Sequence, residues 1–274
     1  MISVRFHHAV APALLMATCA LPGAAQTRYR ETDVQHGGAI AGCVRIAAVP
    51  SASAVDRVTK DEIVCGKRKP SPRLVTGKAG GVRYAVVWIE GISRGKKCPP
   101  PGTVTLKQRN CEYAPHVLIL SPGDELEIVN EDPILHNVHS YDLGNNLRSV
   151  FNIAQPVKNF HSHVRGTDIA GVQSMLTTCD AGHPWMNAYI VRAGSPYCAV
   201  TDADGNFRLD GVPPGTYTLR MWHEGITARN STGGPGTPPV VEAPYTDTRQ
   251  VTVQPDQKVD VSFVFSLRPA TASN

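Results

Sequence analysis

Apolar and polar residues alternate along most of this chain in short runs. The runs are broken by Gly, Pro, Asn and Asp, as in half-buried β-strands separated by turns. Gly38-Ala39-Ile40-Ala41-Gly42-Cys43-Val44-Arg45-Ile46 predicts a first strand. Tyr84-Ala85-Val86-Val87-Trp88-Ile89 predicts another, apolar enough to be buried on both faces. Val117-Leu118-Ile119-Leu120, the turn at Pro122-Gly123 and residues 124–130 together predict a hairpin, because Leu126 and Ile128 alternate with Glu125 and Glu127. The polar turn Asn130-Glu131-Asp132-Pro133 leads into a strand that carries His136. On it His136 and Val138 point to one face, and Asn137 and His139 to the other. Residues 142–178 show no clear period, and His161 and His163 within them read as exposed, without a ligand role. Residues 188–191 predict a closing strand.

A second unit begins near Ser195. Residues 199–202, 207–209 and 217–222, with turns at Asp204-Gly205 and Pro214-Gly215, predict a β-meander. Residues 250–253 and 259–265 alternate cleanly and close it. The Gly/Pro stretch at 231–239 reads as a flexible or semi-rigid loop, and residues 267–274 as a disordered tail. Lys67-Arg68-Lys69 and the basic, Pro-rich residues 94–102 read as solvated loops, with docking of an acidic redox partner as the alternative reading of the first.

Composition sharpens this picture. The chain has 274 residues, 24 Gly, 22 Pro and only 18% charged residues, with no long amphipathic helical run, so the class is all-β with room for two domains. Residues 1–25 read as a secretory signal peptide: a basic start at Arg5, an apolar stretch at 9–20 and small residues before Gln26. Cys19 raises a lipoprotein anchor, but Thr18 before it fits poorly, and plain cleavage is the expectation. The stretch is short for a transmembrane helix, so a soluble periplasmic or otherwise exported protein with no membrane span follows. Residues 1–25 hold one Arg and no acid, so the formal net charge falls from +4 to +3 on their removal. That excess is too weak and dispersed to imply nucleic acid.

Of seven Cys, six survive cleavage: Cys43, Cys65, Cys98, Cys111, Cys179 and Cys198. An oxidising compartment permits disulfides, and Cys65 with Cys111 is the preferred pair, each lying beside a probable strand in one part of the chain.

The candidate chemistry centres on Cys179-Asp180-Ala181-Gly182-His183-Pro184-Trp185-Met186. It holds a thiol, an imidazole and a thioether within eight residues, stiffened by Pro184. Leu135-His136-Asn137-Val138-His139 offers another imidazole, from whichever histidine faces the site. A thiolate, two imidazoles and a weak axial thioether suit copper: soft sulfur favours Cu(I), and imidazole serves both oxidation states.

These two motifs resemble those of cupredoxins, amicyanin-like members most closely. The resemblance implies a Greek-key β-sandwich with copper at one end. It carries His136 and His183 over as imidazole ligands, Cys179 as the thiolate and Met186 as the axial ligand, with His139 at a non-ligand position. The loop departs from that pattern by one residue, Gly182 being the extra one. Cys-x3-His-x2-Met also resembles a dinuclear copper loop, but Met175 stands where a second Cys would be required. The stretches Thr201-Asp202-Ala203-Asp204-Gly205-Asn206-Phe207 and Pro213-Pro214-Gly215-Thr216-Tyr217-Thr218-Leu219 resemble carboxypeptidase regulatory-like domains, which are small transthyretin-like β-sandwiches. The whole is similar to exported methylamine-utilisation or plastocyanin-like proteins.

The expected architecture is a cupredoxin-like domain at 38–192 and a regulatory-like sandwich at 195–266. Gly38 to Ile46 also looks like the opening strand of the latter, which would make the first sandwich an insertion. Asp202, Asp204 and Asn206 read as a turn rather than a calcium loop, which needs more oxygens. The expected function is one-electron transfer by a mononuclear, type 1-like copper site to a periplasmic redox partner, without enzymatic activity. Asn137 would support the ligands, and Pro184 and Trp185 would form an apolar rim. Two alternatives stand beside it. One is an envelope binding or structural module, with a carbohydrate or protein ligand on the C-terminal domain and no functional copper. The other is a copper trafficking protein. Trp222-His223-Glu224 is an unusual strand end without an assigned role.

Overall fold

Four β-sheets, paired into two sandwiches, make up nearly all of the regular structure. The computed structural model describes residues 29–226 and 239–268. The expected leader at 1–25, nearly all of the expected loop at 231–239 and most of the expected tail lie outside the described residues.

The first sandwich has one sheet ordered Phe160–Val164, Glu125–Asn130, Thr103–Arg109, Glu112–Ala114. Its other sheet runs Arg148–Gln155, His136–Asp142, Ser174–Thr178, Asn187–Arg192, Val117–Leu120. Leu106, Leu126 and Ile128 from one sheet meet Leu118, Val138, Met175 and Ile190 from the other in a single core. Each such side chain contributes about 1.5–3 kcal/mol when fully buried.

The predicted hairpin does not form. Val117–Leu120 runs parallel to Asn187–Arg192, while Glu125–Asn130 lies between Thr103–Arg109 and Phe160–Val164 in the opposite sheet. Both strands aim apolar residues at one core, so they face each other across it instead of pairing. The turn between them is a crossover, held by the Asp124 carboxylate, which accepts the N–H groups of Ser121 (2.7 Å) and Gly102 (2.9 Å).

The second sandwich pairs a sheet ordered Cys198–Val200, Val86–Ile89, Gly215–His223, Tyr245–Val253 with one ordered Asn206–Val212, Gly38–Ile46, Lys258–Phe265. Ile40, Val87, Leu209, Leu219 and Phe263 belong to its core. The expected meander is corrected in the same way as the hairpin: Asn206–Val212 and Gly215–His223 occupy opposite sheets.

Gly38–Ile46, placed above in the 38–192 unit but also read as an opening strand of the regulatory-like sandwich, is the central strand of the second sandwich's three-stranded sheet. It runs parallel to Lys258–Phe265 from Ala39↔Lys258 to Ile46↔Phe265. No local pattern encodes a pairing between segments so far apart in the chain. Val86–Ile89 also belongs to this sandwich, and Cys198–Val200 pairs beside it with Cys198 opposite Trp88. The chain therefore leaves the second sandwich after Ile89 and re-enters it at a neighbouring strand, an arrangement that accommodates an insertion.

The inner strands of the five-stranded sheet are buried on both faces, and its edge strand Arg148–Gln155 is largely exposed. Met175 and Ile190 point into its own core, while Leu176 and Tyr189 pack with Val86, Trp88 and Trp222 of the second sandwich. Strand Ser174–Thr178 thus lacks polar alternation, while Arg148–Gln155 and Phe160–Val164 earlier in the stretch are largely exposed, so residues 142–178 share no single period.

Candidate metal centre

Two strands and one loop build the site. His136 opens the strand His136–Asp142, and the period of two sends Val138 into the first core while His139 points to the opposite face. The Cys179–Met186 loop joins the antiparallel strands Ser174–Thr178 and Asn187–Arg192. It is closed by the Cys179 N–H donating to the Met186 carbonyl (3.3 Å) and the Met186 N–H donating to the His183 carbonyl (3.0 Å). Gly182 within it has φ 103°, and a Cβ there would lie 2.7 Å from Lys60 Cδ. The positive φ favours glycine, and a larger residue would also have to displace the Lys60 side chain.

Cys179 Sγ lies 3.5 Å from Nδ1 of His183 and 3.7 Å from Nδ1 of His136. The two imidazole centroids are 4.7 Å apart. All three side chains are fully buried, and their donor atoms lie within 4.8 Å of one another. Met186, the fourth expected ligand, is buried in the same core cluster as Cys179.

Each imidazole is held from behind by a carboxylate. His136 Nε2 is 2.9 Å from Asp132 Oδ2, and His183 Nε2 is 2.9 Å from Asp61 Oδ2. A carboxylate only accepts, so Nε2 carries the proton and each Nδ1 presents a lone pair toward the sulfur. Asp132 is itself anchored by the N–H groups of Asn110 and Cys111, both at 2.7 Å. Burial would raise the Asp132 carboxyl, but His136 and those two amides outweigh it and hold it below its ordinary value. Burial pushes the Cys179 thiol up to about 11, opposed by the backbone N–H groups of Asn137 and Ala181. Burial and the neighbouring His136 lower His183, against the pull of Asp61. A buried soft sulfur facing two imidazole lone pairs is a donor set that fits copper.

Around these residues, Asn137 ties the strand to the loop. Its Oδ1 accepts the Ala181 N–H (2.8 Å), and its Nδ2 donates to Asp180 and to Asn152 Oδ1 (2.9 Å). His139 stands on the other face, bridging Asp180 Oδ2 (2.7 Å) and Ser149 Oγ (2.8 Å). Trp185, expected in an apolar rim, is buried: its Nε1–H donates to the Cys111 carbonyl (2.9 Å) and its ring meets His183 edge-on. Pro184 beside it is exposed. His161 and His163 are half exposed and face Glu127 and Glu125.

The preferred disulfide is present, between Cys65 and Cys111. Cys43, Cys98, Cys179 and Cys198 are free. Cys111, Asp132 and His136 also converge, but the Cys111 sulfur is committed to the disulfide. In the second sandwich, Asp202 Oδ1 accepts the N–H groups of Asp204 (2.9 Å) and Asn206 (2.8 Å), as a turn residue does.

Sequence reasoning missed Asp61, Lys60 and His116. Asp132 it saw only as a turn residue, although its place four residues before His136 was a signal. Trp222-His223-Glu224 finds its explanation in His116. Glu224 and His116 form a buried ion pair where the sandwiches meet, and Trp222 stacks edge-on against Tyr189.

The described residues thus define an all-β protein of two packed sandwiches with a buried thiol–imidazole cluster. A family model described as the carboxypeptidase regulatory-like domain matches residues 176–266, less than half of the chain. The match begins inside the five-stranded sheet and takes in the later strands of the second sandwich, but not its strands Gly38–Ile46 and Val86–Ile89. No curated protein matches the chain. Among solved structures, a reduced Cu(I) form of an amicyanin variant is 18% identical over 35% of this chain and 86% of that chain, with a TM-score of 0.28. Amicyanin from Paracoccus versutus is 16% identical over 35% and 85%, also at 0.28. A purple cupredoxin from Nitrosopumilus maritimus is 17% identical over 33% and 99%, at 0.24. At such scores the likeness carries no argument, and the copper reading rests on the site's own geometry.

Proposed function

We propose that this is an exported, mononuclear copper protein that carries single electrons, with His136, Cys179, His183 and Met186 as ligands. The observation that supports it is Cys179 Sγ buried between two Nδ1 atoms, at 3.5 and 3.7 Å, whose Nε2 atoms are both occupied by carboxylates. Copper would supply the redox chemistry. The chain's part is to fix the imidazole tautomers, keep the thiol dry, and hold the loop rigid through Asn137 and Gly182. On this reading the protein is a carrier and not an enzyme. It consists of an inserted copper sandwich at 103–192 and a regulatory-like host sandwich built from 38–89 and 195–266. Among the described residues no helix is long and apolar enough to cross a membrane.

The test is a Cu(II) titration followed by visible absorption. A strong thiolate-to-copper band, absent in Cys179→Ser, is the expected result. A colour and redox couple that survive Cys179→Ser overturn the reading.

The regulatory-like match at 176–266 motivates a second reading, a binding module for a glycan or protein in which copper is incidental. It predicts that metal-free protein binds its ligand and that His183→Ala leaves the binding unchanged. A trafficking role predicts tight Cu(I) binding without a reversible couple.

A further inference from the structure

Asp61 lies outside the inserted sandwich in sequence, yet it touches the innermost part of that sandwich's site. Its Oδ2 accepts the Nε2–H of His183 at 2.9 Å. The His183 side chain is 0% exposed and that of Asp61 is 34% exposed, so the carboxylate stands between the imidazole's outer edge and water.

The surrounding segment is pinned at several points. Lys60 donates from Nζ to the Ala181 carbonyl (2.8 Å) in the ligand loop, and its Cδ occupies the space that a side chain at Gly182 would need. Val58 is buried in the inserted core. Asp61's own carbonyl accepts the N–H groups of Val64 and Cys65, both at 2.9 Å, and Cys65 is bonded to Cys111. Asp61 itself sits at φ 53°, a left-handed conformation that Asp tolerates better than most residues. A segment only filling surface would not need this combination of backbone strain, covalent tether and a carboxylate aimed at a buried imidazole.

We infer that Asp61 is a positioning residue for His183, and that with Lys60 it forms the outer wall of the metal site. A neutral imidazole open to water populates both tautomers and turns about its bond to Cβ. With Nε2–H held on Asp61, the lone pair is confined to Nδ1 and points at Cys179 Sγ. The same contact denies small external anions an approach to the metal past the His183 edge. This rests on the copper reading above and adds to it a site closed by a segment from outside the copper-binding sandwich.

The test compares the full chain with Asp61→Asn and Asp61→Ala, first without metal and then loaded with Cu(II). Without metal, long-range proton–nitrogen NMR reports the His183 tautomer. The expected result is a single Nε2–H form with a slowly exchanging proton in the parent, and a mixed, fast-exchanging imidazole in Asp61→Ala. With copper, the expected result is a 10–100-fold loss of affinity in Asp61→Ala, as for removal of other partners of metal-bound histidines. Added azide should change the visible spectrum of that variant and not of the parent, and Asp61→Asn should fall between them. A tautomer and proton exchange unchanged in Asp61→Ala overturn the inference whether or not copper binds. Azide sensitivity and affinity within twofold of the parent overturn the wall. A parent chain that gives no thiolate-to-copper band defeats the copper reading, and the NMR result still decides the role of Asp61.

Discussion

Cys111 is covalently joined to Cys65 and also donates its backbone N–H to Asp132 Oδ2 at 2.7 Å. Asp132 orients His136, and Cys65 lies one helical turn from Asp61, which orients His183. The disulfide is thus the covalent link between the two carboxylates behind the two imidazoles.

Removing this link as Cys65→Ala/Cys111→Ala is expected to cost stability. The bridge spans 46 residues, and a loop of that size corresponds to about 4 kcal/mol of denatured-state entropy, with measured losses typically about 2–5 kcal/mol. A urea titration reads this as a lower midpoint. Copper affinity should fall with it, because both carboxylates lose an anchor.

Metal binding should release a proton at neutral pH. Burial holds the Cys179 thiol at about 11, so it is protonated before the metal arrives. Burial and His136 lower His183, so its imidazole contributes no competing proton near neutrality. Below the thiol's pKa, apparent affinity therefore rises about tenfold per pH unit as pH increases. Adding Cu(I) to metal-free protein in a pH-stat should release about one proton per metal, and Cys179→Ser should abolish that release.

Glu224 and His116 are buried together at the junction of the sandwiches. Burial would raise the Glu224 carboxyl, but its contact with His116, together with His223 and Arg73, outweighs burial and holds Glu224 below its ordinary 4.5. A depressed folded-state value means stability that is present above the unfolded value and lost as pH falls below it. The parent should thus weaken below about pH 4.5 more steeply than Glu224→Gln. Glu224→Ala should destabilise by about 3–5 kcal/mol at neutral pH, since it strands His116. The double replacement His116→Leu/Glu224→Leu should cost less. Thermal and urea unfolding decide all three.

Gly182→Ala combines a positive φ with a Cβ crowded against Lys60. The expected loss is about 1–2 kcal/mol from the backbone alone. A thermal midpoint unchanged from the parent would show that the loop relaxes around the added methyl group.

What was legible from sequence was local. The spacing of Cys179, His183 and Met186, the alternation that separates His136 from His139, the turn at Asp202 and the strand-rich class all follow from periods and neighbours within about ten residues. The pairing of Cys65 with Cys111 was readable too, since both cysteines flank probable strands in one region.

Long-range packing decided the rest. Strands adjacent in sequence, Val117–Leu120 and Glu125–Asn130, face each other across a core because both present apolar faces to it. Gly38–Ile46 joins Lys258–Phe265 by backbone hydrogen bonds, which carry no residue code. Ser174–Thr178 lost its polar alternation because a second sandwich covers its outer face. Asp61 and His116 are ordinary residues in their own neighbourhoods. They acquire partners, His183 and Glu224, only when segments more than a hundred residues apart are brought together, and a carboxylate or imidazole shows its purpose only beside the group it pairs with.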